Sequence, residues 1–454
     1  MSEASRINAG PWCGAVTETG ATIKLSVMRN VQRAEIIISE ASDFHTFQSV
    51  NPFSIWVNPD YQYRILTFRL SNLRPNTQYF YNFRFDGRAA QEGTGGAFQT
   101  FPEPGTQTDF RFAFSSCSKS DWFFHSPAPE AYAAITQEPG LLFFAHLGDL
   151  YYDIHERDIP GRFKKYDSVL SRKEIKALFQ KLPVVYGWDD HDFLGNNAEG
   201  DASDESRSAR KTALEAYSIY VPHHEFASPS DGLFQSFQIG NVMFLLTDTR
   251  FNKTSRNSSG GTGKTILGRN QKLWLKNKLL EGKSKDLIIW ANSVPWIGDP
   301  ENGLDFWAGY AVERKELADF VKQNQINNVC MISGDAHMLA IDDGSHHTYT
   351  TPDSQGNQGG FPVFQAAALE SPASEKGGDY SIGHEDGTAG GGIGERRQYG
   401  LFEVKYPRDQ NGAVLGVPTV TWVGKRAKKS SSALSDVKEI IRYSFPSRPS
   451  YSKF

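Results

Sequence analysis

From about residue 108 onwards, short apolar runs that are typical of buried strands alternate with longer stretches that are typical of helices. The apolar runs are, in order, FRFAFSSC, LLFFAHLGD, PVVYGWDD, VMFLLTDTR, DLIIWANSVPW and NVCMISGDAH. Helix-like stretches lie between them, for example near 161–181 and 204–220. Regular alternation of the two patterns predicts α/β layering. We therefore predict one α/β domain over residues 108–425.

The first hundred residues follow a different pattern. TIKLSV, AEIIIS, YRILTFRLSNL and YFYNFRF alternate apolar and polar residues, and the turn-forming segments RPNT and DGR separate them. This pattern predicts an antiparallel sandwich of immunoglobulin or fibronectin type over residues 1–104. The proline-rich FPEPGTQTD links it to the α/β domain. The polar, serine-rich residues 426–454 are predicted to form a C-terminal extension.

Composition excludes several classes of function. The 454 residues carry a formal net charge of -4 without a basic stripe, so nothing predicts binding to nucleic acid. No stretch approaches the roughly 18 uninterrupted apolar residues of a membrane span. Three widely spaced cysteines and the absence of a signal-peptide pattern favour a cytoplasmic protein as given, whereas a removed leader would fit a periplasmic or secreted one. The sequence predicts no oligomeric state.

Side chains of metal-ligand type follow four of the apolar runs. They are Cys117 after the first run, Asp149 and Tyr152 after the second, Asp190, His191 and Asn196 after the third, and Asp335 and His337 after the last. Ligands in α/β proteins gather at the carboxyl ends of strands, so we expect these side chains to converge. The mixture of thiol, phenol, carboxylate, imidazole and amide suits more than one kind of metal, which predicts a dinuclear or larger centre.

These motifs also carry a family resemblance. GDLYY, WDDHD with Asn196, SGDAH and the cysteine of FSSC resemble the PhoD-like branch of the calcineurin-like metallophosphoesterases over most of 108–425. The resemblance implies a four-layer α/β/β/α core behind a small all-β domain. It also implies hydrolysis of a small phosphoester, either a monoester or a diester, by metal-activated water. The metals that it implies are ferric iron and calcium, with other divalent metals as an alternative.

The resemblance assigns the candidate ligands to the two metals. Iron would be held by Cys117, Asp149, Tyr152, Asp335 and His337. Calcium would be held by Asp190 and Asn196, with Asp149 as a candidate bridge between the metals. Two alternatives stay open, because Asn197 could replace Asn196 and Asp189 could share the task of Asp190.

Two further residues are candidates for catalysis by the same resemblance. His191 corresponds to the histidine that assists the leaving group, and Arg250 is our candidate for a phosphate contact. Ordinary structural roles compete with both assignments, namely support of a ligand for His191 and a buried salt bridge for Arg250. The competing function is a metal-binding but catalytically inactive interaction module of the same fold. A zinc-dependent amide hydrolase would require H-x-H or H-E-x-x-H, and the sequence contains neither.

Overall fold

A computed structural model describes most of the chain, and its N-terminal part is an all-β domain. The described residues are 6–89, 93–119, 128–152, 157–259, 261–346, 349–356, 358–372, 374, 376–378, 380–382, 396–429, 431 and 433–448. The N-terminal strands are β1 (Ile7–Gly14), β2 (Ala21–Met28), β3 (Ala34–Ser39), β4 (Gln48–Val50), β5 (Ser54–Asn58), β6 (Tyr61–Leu70), β7 (Gln78–Phe85), β8 (Arg88–Ala89) and β9 (Gly96–Gln99).

These strands form two antiparallel sheets. One has the order β1-β2-β6-β5, and the other has the order β4-β3-β7-β8, with β9 also paired to β7. The alternation in β7 shows how the pattern builds the domain, because Tyr79, Tyr81, Phe83 and Phe85 are buried while the residues between them are not. The predicted N-terminal all-β domain is therefore present.

The second domain alternates strands and helices, as predicted. Its strands are β10 (Phe110–Ser115), β11 (Leu141–His146), β12 (Val184–Tyr186), β13 (Gln235–Ile239), β14 (Val242–Leu246), β15 (Leu287–Ala291), β16 (Val329–Ser333), β17 (Leu339–Asp342), β18 (Val363–Ala366), β19 (Gln398–Lys405), β20 (Thr419–Ala427) and β21 (Val437–Pro446). Its helices are α1 (Glu130–Gln137), α2 (Ile159–Leu170), α3 (Lys173–Lys181), α4 (Asp190–Phe193), α5 (Asp204–Tyr220), α6 (Gly268–Gly282) and α7 (Ala311–Gln323).

Two six-stranded sheets form the centre of this domain. Their strand orders are β12-β11-β10-β19-β20-β21 and β13-β14-β15-β16-β18-β17. The sheets pack face to face, since the ring centroids of Phe112 and Phe244 are 6.0 Å apart and those of Phe114 and Phe364 are 5.0 Å apart. Helix α6 packs on β14 and β15 with α7 beside it, while α1 packs on β19 and β20 with α3 beside it. The predicted α/β/β/α fold class is confirmed.

The junction between the two domains is aromatic. Trp12 of β1 stacks on Phe179 of α3 with ring centroids 5.9 Å apart, and its indole N–H donates to the carbonyl oxygen of Tyr220 at 3.1 Å. The hydroxyls of Tyr61 and Tyr220, one from each domain, donate to the carboxylate of Asp167 in α2. Buried contacts of this kind fix the sandwich against the second domain.

The C-terminal segment belongs to the six-stranded sheet that contains β10, β11 and β12. The predicted boundary at 425 falls within β20, and β21, from the segment that we predicted as an extension, pairs with β20 along its length. Ile441 and Phe445 of β21 are buried, and Phe445 packs on Trp422 with ring centroids 5.0 Å apart. The two apolar side chains explain why this polar segment joins the sheet. The limits 1–104 and 108–425 stay predictions.

The state of the cysteines and the search for membrane-spanning helices bear on two predictions from the sequence. Cys13, Cys117 and Cys330 are buried free thiols. Within the described ranges, no helix has both the length and the apolar character needed to cross a membrane.

Candidate metal centre

The loops that follow β10, β11 and β16 make unusually sharp turns. Cys117, Asp149 and Asp335 have φ angles of 62°, 58° and 66°, in the left-handed region that few non-glycine residues adopt. Hydrogen bonds between the loops hold these conformations. The N–H of Cys117 donates to the carbonyl oxygen of Gly148 at 3.1 Å, and the N–H of Asp335 donates to Oγ of Ser116 at 3.0 Å. Strained residues that are held in this way are a common feature of functional sites.

Asp149 lies at the centre of the predicted ligand set. Its Oδ2 accepts a hydrogen bond from the hydroxyl of Tyr152 at 2.8 Å and lies 3.6 Å from Sγ of Cys117. Ligand atoms of Asp149, Asp190 and His191 all lie within 4.8 Å of one another. The backbone N–H of His191 also donates to Oδ1 of Asp149 at 3.1 Å. The structure thus brings together these five residues, which the sequence predicts after three different strands.

Asp335 and His337 follow β16 of the second sheet, and the charge of Asp190 acts on both of them. Asp335 contacts Ser116 through its hydrogen bond and accepts a salt bridge from Nζ of Lys376 at 2.5 Å. Nδ1 of His337 lies 2.6 Å from the carbonyl oxygen of Pro372, so this nitrogen carries the proton. Nε2 of the neutral ring then keeps its lone pair, which is the form in which histidine binds metals.

Asn196 and Asn197, the two candidates for one ligand position, have different surroundings. The backbone N–H of Asn197 donates to Oδ2 of Asp190 at 2.6 Å, and its φ angle is 55°. Asn196 is exposed. The structure therefore places the backbone of Asn197 beside a predicted calcium ligand, while the choice between the two side chains stays a prediction.

Asp189 and Arg250 form a buried ion pair. Nε of Arg250 lies 2.5 Å from Oδ1 of Asp189, and its Nη1 lies 2.8 Å from Oδ2 of Asp305. The hydroxyl of Ser293 also donates to Oδ1 of Asp189 at 2.7 Å. Both charged groups are almost fully buried. The predicted phosphate contact Arg250 therefore has two carboxylate partners, and a shared task of Asp189 and Asp190 stays a prediction.

The electrostatics of the centre favour bound cations. Burial and the nearby carboxylates, Asp190 first among them, raise the pKa of Asp149 well above its ordinary value. Burial likewise raises the pKa of Asp335 to about 6, although Lys376 opposes the shift. Burial also acts to raise the pKa of Asp190. There, however, the charges of Arg250 and His191 outweigh burial, so the pKa of Asp190 is lowered. Buried carboxylates that repel one another are stable only with compensating positive charge.

Two carboxylate oxygens provide an independent indication of cations. Oδ2 of Asp189 and Oδ2 of Asp335 are buried and have no hydrogen-bond partner within the described part of the chain. Unsatisfied buried acceptors are rare in proteins and require an explanation. An oxygen ligand of a metal would leave such an atom without a hydrogen bond. The donor set and the orphaned oxygen of Asp335 therefore fit the metals that the motifs imply.

Sequence reasoning missed several residues that complete the centre. Ser116 and Asp192 lie inside the motifs FSSC and WDDHD, so their proximity to the ligands was a signal that could have identified them. Lys376 and Asp305 lie in segments without a recognisable pattern, and their roles depend on loop positions that only the three-dimensional structure shows.

A cavity of about 650 Å³ adjoins the centre. Its lining residues include Asn197, Arg256, Phe306, His346, Tyr349 and Lys376. Because Lys376 contacts Asp335 and Asn197 contacts Asp190, the cavity opens beside the predicted ligands. It has the size that is usual for a small-molecule site.

Fold, ligand set and cavity together define a metallophosphoesterase-like protein. The model of the family described as "PhoD-like phosphatase" matches residues 112–386, which is more than half of the chain. The chain belongs to the PhoD-like phosphatase family, and the resemblance stated from the motifs is confirmed.

Individual relatives agree with this assignment. Alkaline phosphatase D of Bacillus subtilis (strain 168) is 27% identical over an aligned length of 313 residues, and the match covers 58% of this chain and 52% of that protein. The chain thus spans about half the length of this curated relative.

Solved structures extend the similarity to almost the whole fold. The structure of a PhoD protein matches with a TM-score of 0.68 and 17% identity, covering 97% of this chain and 93% of the other. The purple acid phosphatase PPD1 from seeds of yellow lupin (Lupinus luteus) matches with a TM-score of 0.64 and 11% identity, covering 96% of this chain and 74% of the other. At these identities the two structures show a shared fold.

Proposed function

We propose that this chain is a metal-dependent hydrolase of small phosphoesters. The observation that carries the proposal is the convergence on Asp149 of ligand-type side chains from three strand ends. The thiol of Cys117, the hydroxyl of Tyr152 and the cluster with Asp190 and His191 all surround this one carboxylate. The family to which the chain belongs and its curated relative, an alkaline phosphatase, support the same activity.

We assign the metals according to the chemistry of the donors. The iron ligands in this proposal are Cys117, Asp149, Tyr152, Asp335 and His337. The calcium ligands are Asp190 and Asn197, with Asp149 shared between the metals. Hard oxygen donors suit calcium, whereas thiolate, phenolate and imidazole suit a transition metal. When bound, the cations would acidify a water nucleophile and offset charge on the phosphoryl oxygens.

The chain's own residues position the ester and its leaving group. The ring of His191 is half-buried and lies 4.1 Å from the ring of Tyr152, centroid to centroid, so its orientation is restricted. We assign to this imidazole the donation of a proton to the leaving oxygen. The adjoining cavity accommodates the organic part of the ester, and Lys376 supplies positive charge where the cavity meets Asp335.

Metal analysis coupled to a substrate panel tests the proposal. Protein that is purified without chelator is expected to contain iron and calcium and to hydrolyse alkyl or aryl phosphoesters. Coordination of ferric iron by Cys117 or Tyr152 should also give a charge-transfer band in visible light, and Tyr152→Phe should shift or weaken that band. Fully active, colourless protein that contains only zinc would contradict the iron assignment. Metal-loaded protein without turnover on any monoester or diester would favour the inactive interaction module.

A further inference from the structure

Each side chain of the acidic cluster at 189–192 has a different environment. Asp189 pairs with Arg250, Asp190 belongs to the metal-ligand group, and His191 lies on Tyr152. Asp192 is fully buried and has none of these three roles. Its contacts therefore show the role of the fourth ionisable side chain in the cluster.

The carboxylate of Asp192 joins two loops that are distant in sequence. Its Oδ1 accepts the backbone N–H of Asp189 at 2.7 Å. Its Oδ2 accepts the backbone N–H of Leu150 at 2.9 Å, and it also accepts the hydroxyl of Tyr186 at 2.5 Å. Leu150 directly follows Asp149, and Asp189 directly precedes Asp190. One carboxylate thus holds the chain next to two predicted metal ligands.

The two loops also approach each other closely at Gly148. A Cβ atom added to Gly148, whose φ angle is 108°, would lie 2.4 Å from Cβ and 2.8 Å from the backbone nitrogen of Asp189. Only glycine permits this approach. The hydroxyl of Tyr151 adds a further link at 3.1 Å to the carbonyl oxygen of Asp192. The contact between the loops is therefore close, and Asp192 lies across it.

We propose that Asp192 is a positioning residue that sets the separation of Asp149 and Asp190 by binding the backbone next to each of them. The inference rests on the proposed function, because it concerns the ligands of that metal centre. An ordinary helix cap would require only the bond to Asp189, the residue that precedes α4. The bonds of Oδ2 to a residue in another loop and to a strand tyrosine exceed what a cap needs.

Asp192→Asn removes one acceptor and keeps the shape of the side chain. The amide has one acceptor oxygen, whereas the carboxylate serves backbone N–H groups with both of its oxygens. Backbone N–H groups cannot rotate, so either Leu150 or Asp189 loses its acceptor in this variant. Loss of a group that orients metal ligands typically lowers metal affinity by about 10- to 100-fold.

Asp167→Asn is the matched control. Asp167 also accepts two hydrogen bonds in the interior, from the hydroxyls of Tyr61 at 2.7 Å and Tyr220 at 2.5 Å. Hydroxyls can rotate and accept from an amide, so this variant keeps its network. It lies at the domain junction and touches no predicted ligand.

The test is a titration of metal-stripped full-length protein with Co²⁺, followed by its visible absorption, together with thermal unfolding of each protein. We expect Asp192→Asn to bind Co²⁺ about 10- to 100-fold more weakly than the wild type, with Asp167→Asn unchanged. Co²⁺ affinity of Asp192→Asn within twofold of the wild type, with lower thermal stability alone, would overturn the positioning role. If the wild type itself binds no Co²⁺, the metal centre fails and this inference with it.

A second variant keeps the inference testable if Asp192→Asn does not fold. Tyr186→Phe removes one donor to Oδ2 and leaves both backbone bonds of the carboxylate in place. We expect a smaller loss of Co²⁺ affinity, about two- to fivefold, which corresponds to one weak hydrogen bond. Unchanged affinity in this variant would then count against the inference.

Discussion

Two buried carboxylates, one at the domain junction and one at the candidate metal centre, have different surroundings. At the junction, Asp167 accepts hydrogen bonds from two tyrosine hydroxyls. At the centre, Asp149 faces other carboxylates as well as its hydrogen-bond donors. Burial raises the pKa of both residues, but at Asp149 the charges of Asp190 and Asp189 raise it further. Within the described residues, hydrogen bonds from the protein satisfy the carboxylate at the junction, whereas they do not satisfy the carboxylates at the centre.

The difference marks the candidate centre as the part of the fold with the features of a binding site. The centre combines positive φ angles, repelling carboxylates and the orphaned oxygens of Asp189 and Asp335. Each of these features lowers the stability of the metal-free protein, and proteins keep such features where function needs them. The following variants test whether the contrast between centre and junction has this origin.

Asp149→Asn should have the largest effect. The amide can keep the hydrogen bonds of the carboxylate but not its charge, so we expect metal loss and a decrease in kcat/KM of about 10⁴-fold. Because the pKa of Asp149 is higher in the folded protein, its ionisation destabilises the metal-free fold at neutral pH. Urea unfolding in chelator should therefore show the variant to be more stable than the wild type.

The same substitution at the junction provides the comparison. Asp167→Asn should keep full metal content and activity, with a change in the free energy of unfolding below about 1 kcal/mol. Equal losses of activity in the two variants would contradict the distinction between the regions.

His191→Ala tests catalysis by a residue that is not assigned to a metal. Loss of a proton donor should lower kcat/KM for an alkyl phosphoester by about 10²- to 10⁴-fold. A nitrophenyl ester, whose leaving group needs little protonation, should lose far less. Asp190→Ala should lower kcat/KM for both substrates alike, because it removes a proposed metal ligand. Equal losses of His191→Ala on both esters at matched metal occupancy would make His191 a supporting residue.

The sequence predicted the strand ends better than the loops. The apolar runs before Cys117, Asp149 and Asp335 are buried strands. The parallel strands β10 and β11 bring Cys117 and Asp149 together at their carboxyl ends, so this convergence followed from the pattern. Asp335 follows a strand of the second sheet, and it joins them because the two sheets pack together. The choice between neighbours could not follow from the pattern. Whether Asn196 or Asn197 faces Asp190 depends on a left-handed backbone angle at 197. The partners of Arg250 come from loops that carry no periodic signal.

Arg250→Met separates a phosphate contact from a structural ion pair. Arg250 pairs with Asp189 and Asp305 in the interior, and its removal leaves both carboxylates without their guanidinium partner. Breaking a buried pair of this kind costs about 3–5 kcal/mol of stability. Denaturant unfolding should show this loss, and adding Asp189→Asn should restore part of it. A raised KM with unchanged stability would instead support the phosphate contact.

The smallest effect is expected from paired substitutions of the two asparagines. Glycine is the replacement of choice, because Asn197 has a φ angle of 55° that alanine would adopt only with strain. The backbone N–H that donates to Asp190 remains in Asn197→Gly, so the variant removes only the side-chain amide. If that amide oxygen is a calcium ligand, about tenfold more Ca²⁺ should be needed for half-maximal activity, which corresponds to ~1.4 kcal/mol. Asn196 is exposed, so Asn196→Gly should leave the Ca²⁺ requirement unchanged. The reverse result, with the larger loss at 196, would restore the first assignment and would mean that the loop rearranges when the metal binds.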